Sequence, residues 1–224
     1  TILTISGITI GIFAFVVMGS MAEKINLLVN GGTKYYKDKV IVSDKSGGTF
    51  MTAPLSIDKA KEIEKVTGVQ AVQADVSGLL SEEMSGVSFG IPPMYIGSDN
   101  KGEPYENFKI NMAKGKQITP TDYGKVIVGS DLVKKLNAEV GKKIKIQDKE
   151  FEVKGIIAKT LTAPDSEVYM TLRDAQELYH KTLPTVIQSQ VKPEALVTDF
   201  TVYAKKGVDP NALATKINKE VSSV

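Results

Sequence analysis

The sequence predicts an α+β fold in which an N-terminal transmembrane helix precedes a water-exposed domain. Three features lead there. Residues 1–22 carry no charged side chain. At about 1.5 Å per helical residue they reach roughly 33 Å, enough to cross a hydrocarbon core of about 30 Å. Near each end of the remaining chain a strand pattern adjoins a helix pattern, and the block between them consists of short alternating runs broken by turns.

The opening helix is expected to stay in the membrane. Gly7 and Gly11, four residues apart with Ser6 and Thr9 nearby, form a small-residue face of the kind along which membrane helices pack, although glycine is also common in such helices generally. Ser20-Met21-Ala22 would satisfy a signal-peptidase rule, but the apolar run exceeds the usual 7–15 residues or so of a removable leader. Helical spacing also continues through Ile25, Leu28 and Val29 to Gly31-Gly32, a natural stop. Helix and stalk are therefore assigned to residues 1–30. A first residue other than Met and a last helix without a stop predict a segment of a longer polypeptide.

Residues 39–43, Lys-Val-Ile-Val-Ser, read as a β run closed by a loop with Gly47-Gly48. Ser56 suits the N-cap of a helix over 57–67, with Ile57, Ala60, Ile63 and Val66 near helical spacing and Gly68 ending it. Residues 69–76 alternate as a strand and complete a β-α-β unit. At the far end, 198–204 places Phe200, Val202 and Ala204 on one strand face. Asp209 then caps a helix with Pro210 in its first position and a stripe of Leu213, Ile217 and Val221.

The middle block differs. Pro92-Pro93 restricts 88–96 to an edge or irregular strand, since proline cannot donate to a ladder. Residues 125–129 form a strand, and Ser130 caps a short helix ending at Asn137. The runs 141–146 and 150–157 alternate across Gln147-Asp148-Lys149, which predicts a hairpin with one dry and one wet face. A strand at 168–171 and a helix over 172–181 follow. This order fits a small β-rich subdomain inserted into an α+β one.

Chemistry is sparse. There is no Cys, one His (His180) and one Arg (Arg173). Disulfides, thiolate metal sites and cysteine nucleophiles are thereby excluded, and bidentate arginine clamps are scarce. His180 closes a helix, where a cation suits the dipole, and no Gly-x-Ser-x-Gly elbow occurs. Asp99-Asn100-Lys101-Gly102-Glu103 lacks the ligand spacing of a calcium loop. No Walker A loop is present, and charge is interspersed without a basic patch, so neither ATP nor nucleic acid is an expected ligand. No catalytic, cofactor-binding or metal-ligating residue is assigned. Met84, Phe89, Ile91, Met94 and Tyr95 are the candidate substrate or partner surface, with an ordinary subdomain core as the alternative.

From Gly115 onward the chain resembles a known family. Gly115-Lys116-Gln117-Ile118-Thr119, Asp122, Val126-Ile127-Val128-Gly129-Ser130, Val140-Gly141-Lys142-Lys143-Ile144-Lys145-Ile146 and Phe151-Glu152-Val153-Lys154-Gly155-Ile156-Ile157 are similar to the extracytoplasmic core domain of MacB-like and FtsX-like ABC-transporter permeases. Val168-Tyr169-Met170 matches the family's next strand, with Thr171 where proline is frequent, and Lys116 stands where arginine is usual. Gly7-Ile8-Thr9-Ile10-Gly11 is similar to the end of the first transmembrane helix.

The resemblance implies a four-helix permease with this domain between its first two helices and a cognate ATPase on the cytosolic side. It implies a homodimer or heterodimer of permeases, a possible extracytoplasmic adaptor, and placement at the cell membrane on the extracytoplasmic face. The expected division is a porter-like part at 31–80 plus 197–224 and an inserted sabre-like part at 81–196. The expected function is mechanical: coupling ATP-driven helix motion to an external substrate or partner, with no enzymatic activity in the chain itself. Two other classes stay open, a secreted or membrane-anchored binding protein outside any transporter and an exported hydrolase.

Overall fold

A 35-residue helix, α1 (Ile2–Tyr36), opens the chain. The computed structural model describes residues 2–44, 53–81 and 92–221. Within α1, Ile5–Glu23 is long and apolar enough to cross a membrane, with mean hydropathy 2.0. The helix does not stop at Gly31-Gly32 as expected. A glycine stop needs a left-handed residue, and the first one in the chain is Asp38, at φ 68°, which turns α1 into β1 (Lys39–Ser43).

The chain then forms β2 (Leu55–Ser56), a 3-10 turn at Ile57–Lys59, α2 (Ala60–Ile63) and β3 (Val69–Leu79). The expected helix over 57–67 is thus a short turn and a half. Ser56 does cap it, accepting from the Asp58 amide at 3.3 Å, but Lys65 and Val66 bond three residues back instead of four, which tightens and ends it. Next come β4 (Met94–Ser98), β5 (Met112–Gly115), β6 (Lys125–Val128), β7 (Lys143–Ile146) and β8 (Lys149–Ile157). The hairpin β7–β8 closes on two residues, Gln147 and Asp148, with Gln147 at φ 51°. Residues 130–137 are turns, not the expected helix. Their bonding lacks the regular four-residue step: Leu132 N and Asn137 N reach three residues back, Leu136 N four and Ala138 N five.

The last part comprises β9 (Glu167–Thr171), α3 (Leu172–Thr182), α4 (Thr185–Gln188), β10 (Leu196–Val197), β11 (Asp199–Ala204) and α5 (Pro210–Glu220). Asp209 caps α5 as the sequence predicts, with Pro210 at its start and Leu213 and Ile217 buried. The main sheet runs β1-β11-β3-β4-β9-β6-β8-β5, with β7 paired to β8; β2 and β10 pair separately. Most pairs are antiparallel, while β4–β9 and β6–β8 are parallel. The 80/81 point of the expected division falls between β3 and β4, which pair antiparallel within this one sheet.

Period-two alternation gives the sheet one dry face. Val40 and Val42, Phe200 and Val202, Val72, Ala74 and Val76, and Val168 and Met170 all point to it and are buried. Helices α2 and α3 pack on β3, and α5 packs on β1. In the other half of the sheet, Val126, Val128, Ile144, Ile146, Phe151 and Val153 continue the same core.

Candidate functional site at the helix–sheet joint

The opposite face of the sheet is polar, and it receives the end of α1. Alternation puts Gln73, Asp75 and Ser77 of β3 on this face beside Asp199, Thr201 and Tyr203 of β11, in antiparallel register with Asp199 directly opposite Asp75. Lys39 of β1 lies opposite Tyr203, and β9 adds Glu167 and Tyr169.

Helix α1 is fastened here by its last turn. The Tyr35 hydroxyl lies 3.4 Å from that of Tyr169, which donates to the Glu167 carboxylate. Tyr35 also packs edge-on against Phe108, with ring centroids 5.3 Å apart, and the Lys39 ammonium sits 4.2 Å from the Tyr35 ring centre. Lys39, its side chain only 6% exposed, pairs with Glu106 at 2.5 Å, and the Tyr203 hydroxyl donates to the same carboxylate at 3.2 Å. Asn107 donates to Asp38 at 3.3 Å. One loop, residues 99–111, thus grips both sides of the α1–β1 turn. Its approach depends on Gly102, where a Cβ would fall 2.1 Å from the Tyr203 ring; the Gly102 amide donates to Gln73 at 3.2 Å.

Behind the turn lies a second polar cluster. Asp75 accepts from Gln73 at 2.9 Å and from the Thr201 hydroxyl at 2.6 Å. Asp199 accepts from Thr198 at 2.7 Å and from Ser77 at 3.3 Å. None of these donors is a cation. Burial raises the Asp75 carboxyl, and the charge of Asp199 raises it further. Burial likewise raises Asp199, against the hydrogen bonds it receives. Burial pushes Glu167 up to about 7, in spite of the Tyr169 hydroxyl and the attraction of Lys39. Burial and the charge of Glu167 also hold the Tyr35 and Tyr169 hydroxyls neutral, well above their ordinary value. The joint is a hydrogen-bonding seam rich in carboxyls, with hydroxyl and aromatic groups around a single buried ammonium.

The chain and its fold have relatives among known proteins. The sequence matches the MacB-like periplasmic core domain over residues 1–220 of its 224. The chain belongs to that family. It is an extracytoplasmic domain of a MacB-like ABC-type transporter permease, a membrane component that works with an ATPase subunit. Its fold is similar to that of the periplasmic region of MacB from Actinobacillus actinomycetemcomitans, at 14% identity and a TM-score of 0.53, covering 85% of this chain and 84% of that one. The extracellular domain of the noncanonic ABC-type transporter YknZ from Gram-positive bacteria is also similar, at 12% identity and a TM-score of 0.47, covering 78% and 88%. A domain of a putative permease protein from Porphyromonas gingivalis gives 12% identity and a TM-score of 0.42, covering 83% of each chain. No curated protein matches.

Among the residues singled out from sequence, Met94 comes next to the joint, as the register partner of Glu167 in this MacB-like domain. Tyr95 is fully buried on the dry face of β4, so it belongs to the core and does not line a surface; the neighbouring Met94 is half-buried on the opposite face. Met84, Phe89 and Ile91 lie outside the described residues. Gly7 and Gly11 sit on the exposed surface of α1, with nothing within 4 Å of where a Cβ would stand. The His180 Nε2 lies 2.8 Å from the Val191 carbonyl and 3.2 Å from that of Gln188. Carbonyls only accept, so this nitrogen carries the proton and ties down the segment after α3.

Sequence reasoning missed the joint. The usable signal was alternation: Glu167 and Tyr169 are two apart in a strand, as are Asp199 and Thr201, and such pairs share a face. Nothing local announces that Lys39, Glu106 and Tyr203 converge, because they come from three distant segments.

Proposed function

We propose that this domain relays ATP-driven motion of the permease's membrane helices to an external substrate or partner, with α1 as the lever and the joint as its hinge. α1 spans the membrane, α5 is the second arm, and ATP is hydrolysed in the partner subunit, not in this chain. The permease works as a homodimer or heterodimer, in which an extracytoplasmic adaptor could engage the outer parts of the domain. The observation carrying this reading is that α1 runs without a break from the candidate span Ile5–Glu23 to Tyr36, and Tyr35 in its last turn meets β9 through Tyr169, β1 through the Lys39 ammonium over its ring, and the 99–111 loop through Phe108. A rigid helix with a fixed end transmits displacement; a flexible linker dissipates it.

The test is a flexible insert. In the permease reconstituted with its ATPase subunit, a Gly-Ser segment placed after Asn30 is expected to leave ATP hydrolysis in place while abolishing ATP-dependent movement of the sheet relative to the membrane, read as a distance change between spin labels. Unchanged movement with the insert would show that α1 is not the lever.

A further inference from the structure

The joint holds more buried carboxyls than it has cations to balance them. Asp75 and Glu167 are each 5% exposed, and Asp199 and Glu106 are partly buried beside them. Among the described residues Lys39 is the one ammonium bonded within the cluster; Glu106 takes it, and its attraction only partly offsets the burial of Glu167. The other groups facing the cluster do not supply positive charge. Tyr35 and Tyr36 come from α1, Tyr203 from β11 and Tyr169 from β9, and all four are neutral phenols. The adjoining loops add acid that is already paired: Asp99, whose carboxylate accepts from Ala74 N at 3.2 Å and pairs with the exposed Lys101, and Asp165, whose charge acts on Glu167 and which lies 3.5 Å from Lys159. Asp44 follows Ser43, the residue before it being the register partner of Asp199.

Asp75 and Asp199 are directly opposed across an antiparallel pair, where like charges repel, and every donor they meet is neutral. Ionising all of these groups in a water-poor seam carries a desolvation cost that no cation here offsets. Protons are the available counter-charge.

We propose that the joint is proton-controlled: protons held by Asp75, Asp199 and Glu167 keep α1 seated on the sheet, and their loss as extracytoplasmic pH rises unseats it. This rests on the reading of the joint as a hinge and adds its regulation. The direction follows from the raised carboxyls. The seated state binds protons that the loosened, solvated state releases, so the loosened population grows with pH. Tyr35 is the mechanical contact, since Tyr169 bridges it to Glu167.

The experiment uses the full chain in detergent micelles. With no native cysteine, Thr33→Cys and Glu103→Cys permit selective spin labelling of α1 and of the loop that grips it. A single narrow distance is expected at about pH 5.5, and a second, longer population by about pH 8.5. Their ratio should rise about tenfold per pH unit for each proton released. Asp75→Asn with Glu167→Gln keeps hydrogen-bonding shape but removes both protons; it should hold the short distance at both pH values. If that pair of changes impairs folding, Asp199→Asn alone should lower the slope. A distance distribution unaltered by pH in the unsubstituted chain, or an undiminished response in the variants, would overturn the proposal. Loss of the lever reading is seen separately, in the insert experiment at one fixed pH, and would leave the pH response of this chain intact.

Discussion

Replacing Gly97 by Ala tests how α3 is seated on the seam where β4 and β9 run parallel. A Cβ built on Gly97 stands 2.3 Å from the Ala175 Cβ, 2.7 Å from the Thr171 carbonyl oxygen and 3.2 Å from the Leu172 Cα. Carbon atoms rest at about 3.5–4.0 Å, so α3 would have to lift by more than an ångström, and two of the three obstructing atoms are backbone. Overpacking costs about 1–3 kcal/mol, and backbone obstruction puts this site near 3. Loss of that much lowers the midpoint of thermal unfolding by roughly 6–12 °C in a chain of this size. Circular dichroism of the full chain in detergent reads it. Ala175→Gly removes the nearest atom, at a cost of about 1 kcal/mol for glycine in a helix. In combination with Gly97→Ala it should recover about 1 kcal/mol or more relative to the sum of the single changes. A Gly97→Ala protein within about 0.5 kcal/mol of the parent, or strictly additive changes, would mean that α3 does not sit this close.

Glu167→Gln should flatten the pH dependence of stability. The folded carboxyl lies at about 7, above its ordinary 4.5, so the folded state holds the proton longer than the unfolded chain and stability falls as pH rises from about 4.5 to 7. Its share of the swing is about 3 kcal/mol, and thermal midpoints collected across that range should decline less steeply in the variant than in the parent, the remaining slope coming from Asp75 and Asp199. Asp174→Ala should cost about 3 kcal/mol. This carboxylate, 3% exposed, accepts from Gly124 N and the Thr171 hydroxyl at 2.8 Å and from Lys149 at 2.7 Å; the first two would lose this acceptor, and Lys149 would keep only Glu177 at 2.9 Å; a drop below about 1 kcal/mol in thermal unfolding would count against the network. Asp209→Ala removes the N-cap that accepts from Asn211 N and Ala212 N, and should cost about 1 kcal/mol, restored to within a few tenths by Asp209→Ser.

Strands and caps were legible because their causes are local. The strands read at 39–43, 125–129 and 198–204 form over 39–43, 125–128 and 199–204, and the Asp209-Pro210 start of α5 is kept. Helix lengths were less legible. Residues 130–137 have helical propensity, yet the amides there bond three, four or five residues back, while Gly129 N on Glu167 O and Asp131 N on Asp165 O anchor the start of the segment, contacts no window of sequence can reveal. The end of α1 was misplaced for a related reason. Glycine permits a stop without requiring one, and what fixes the turn is the grip of Asn107 on Asp38 and of Glu106 on Lys39, contacts that span nearly 70 residues. The candidate surface failed at Tyr95 because an aromatic in a short strand reads the same whether its face is dry or wet.

The two faces of the sheet hold their helices by different physics, and the difference bears on motion. On the dry face, α2, α3 and α5 are fixed by burying apolar side chains, so lifting any of them exposes hydrocarbon at about 25 cal/mol per Å² and leaves a cavity. On the polar face, α1 is held by the Tyr35–Tyr169 hydrogen bond and the edge contact of Tyr35 with Phe108, and the turn that follows it by Asn107 on Asp38 and the buried Lys39–Glu106 ion pair. Each hydrogen bond contributes about 0.5–1.5 kcal/mol net, because water can replace it when the contact opens. Lifting a helix seated in this way does not expose the core behind it, which is what the proposed lever requires. The carboxyls that weaken the seam are also the groups that let protons adjust it, so a wholly apolar joint of the same area would be stronger and would lose both properties.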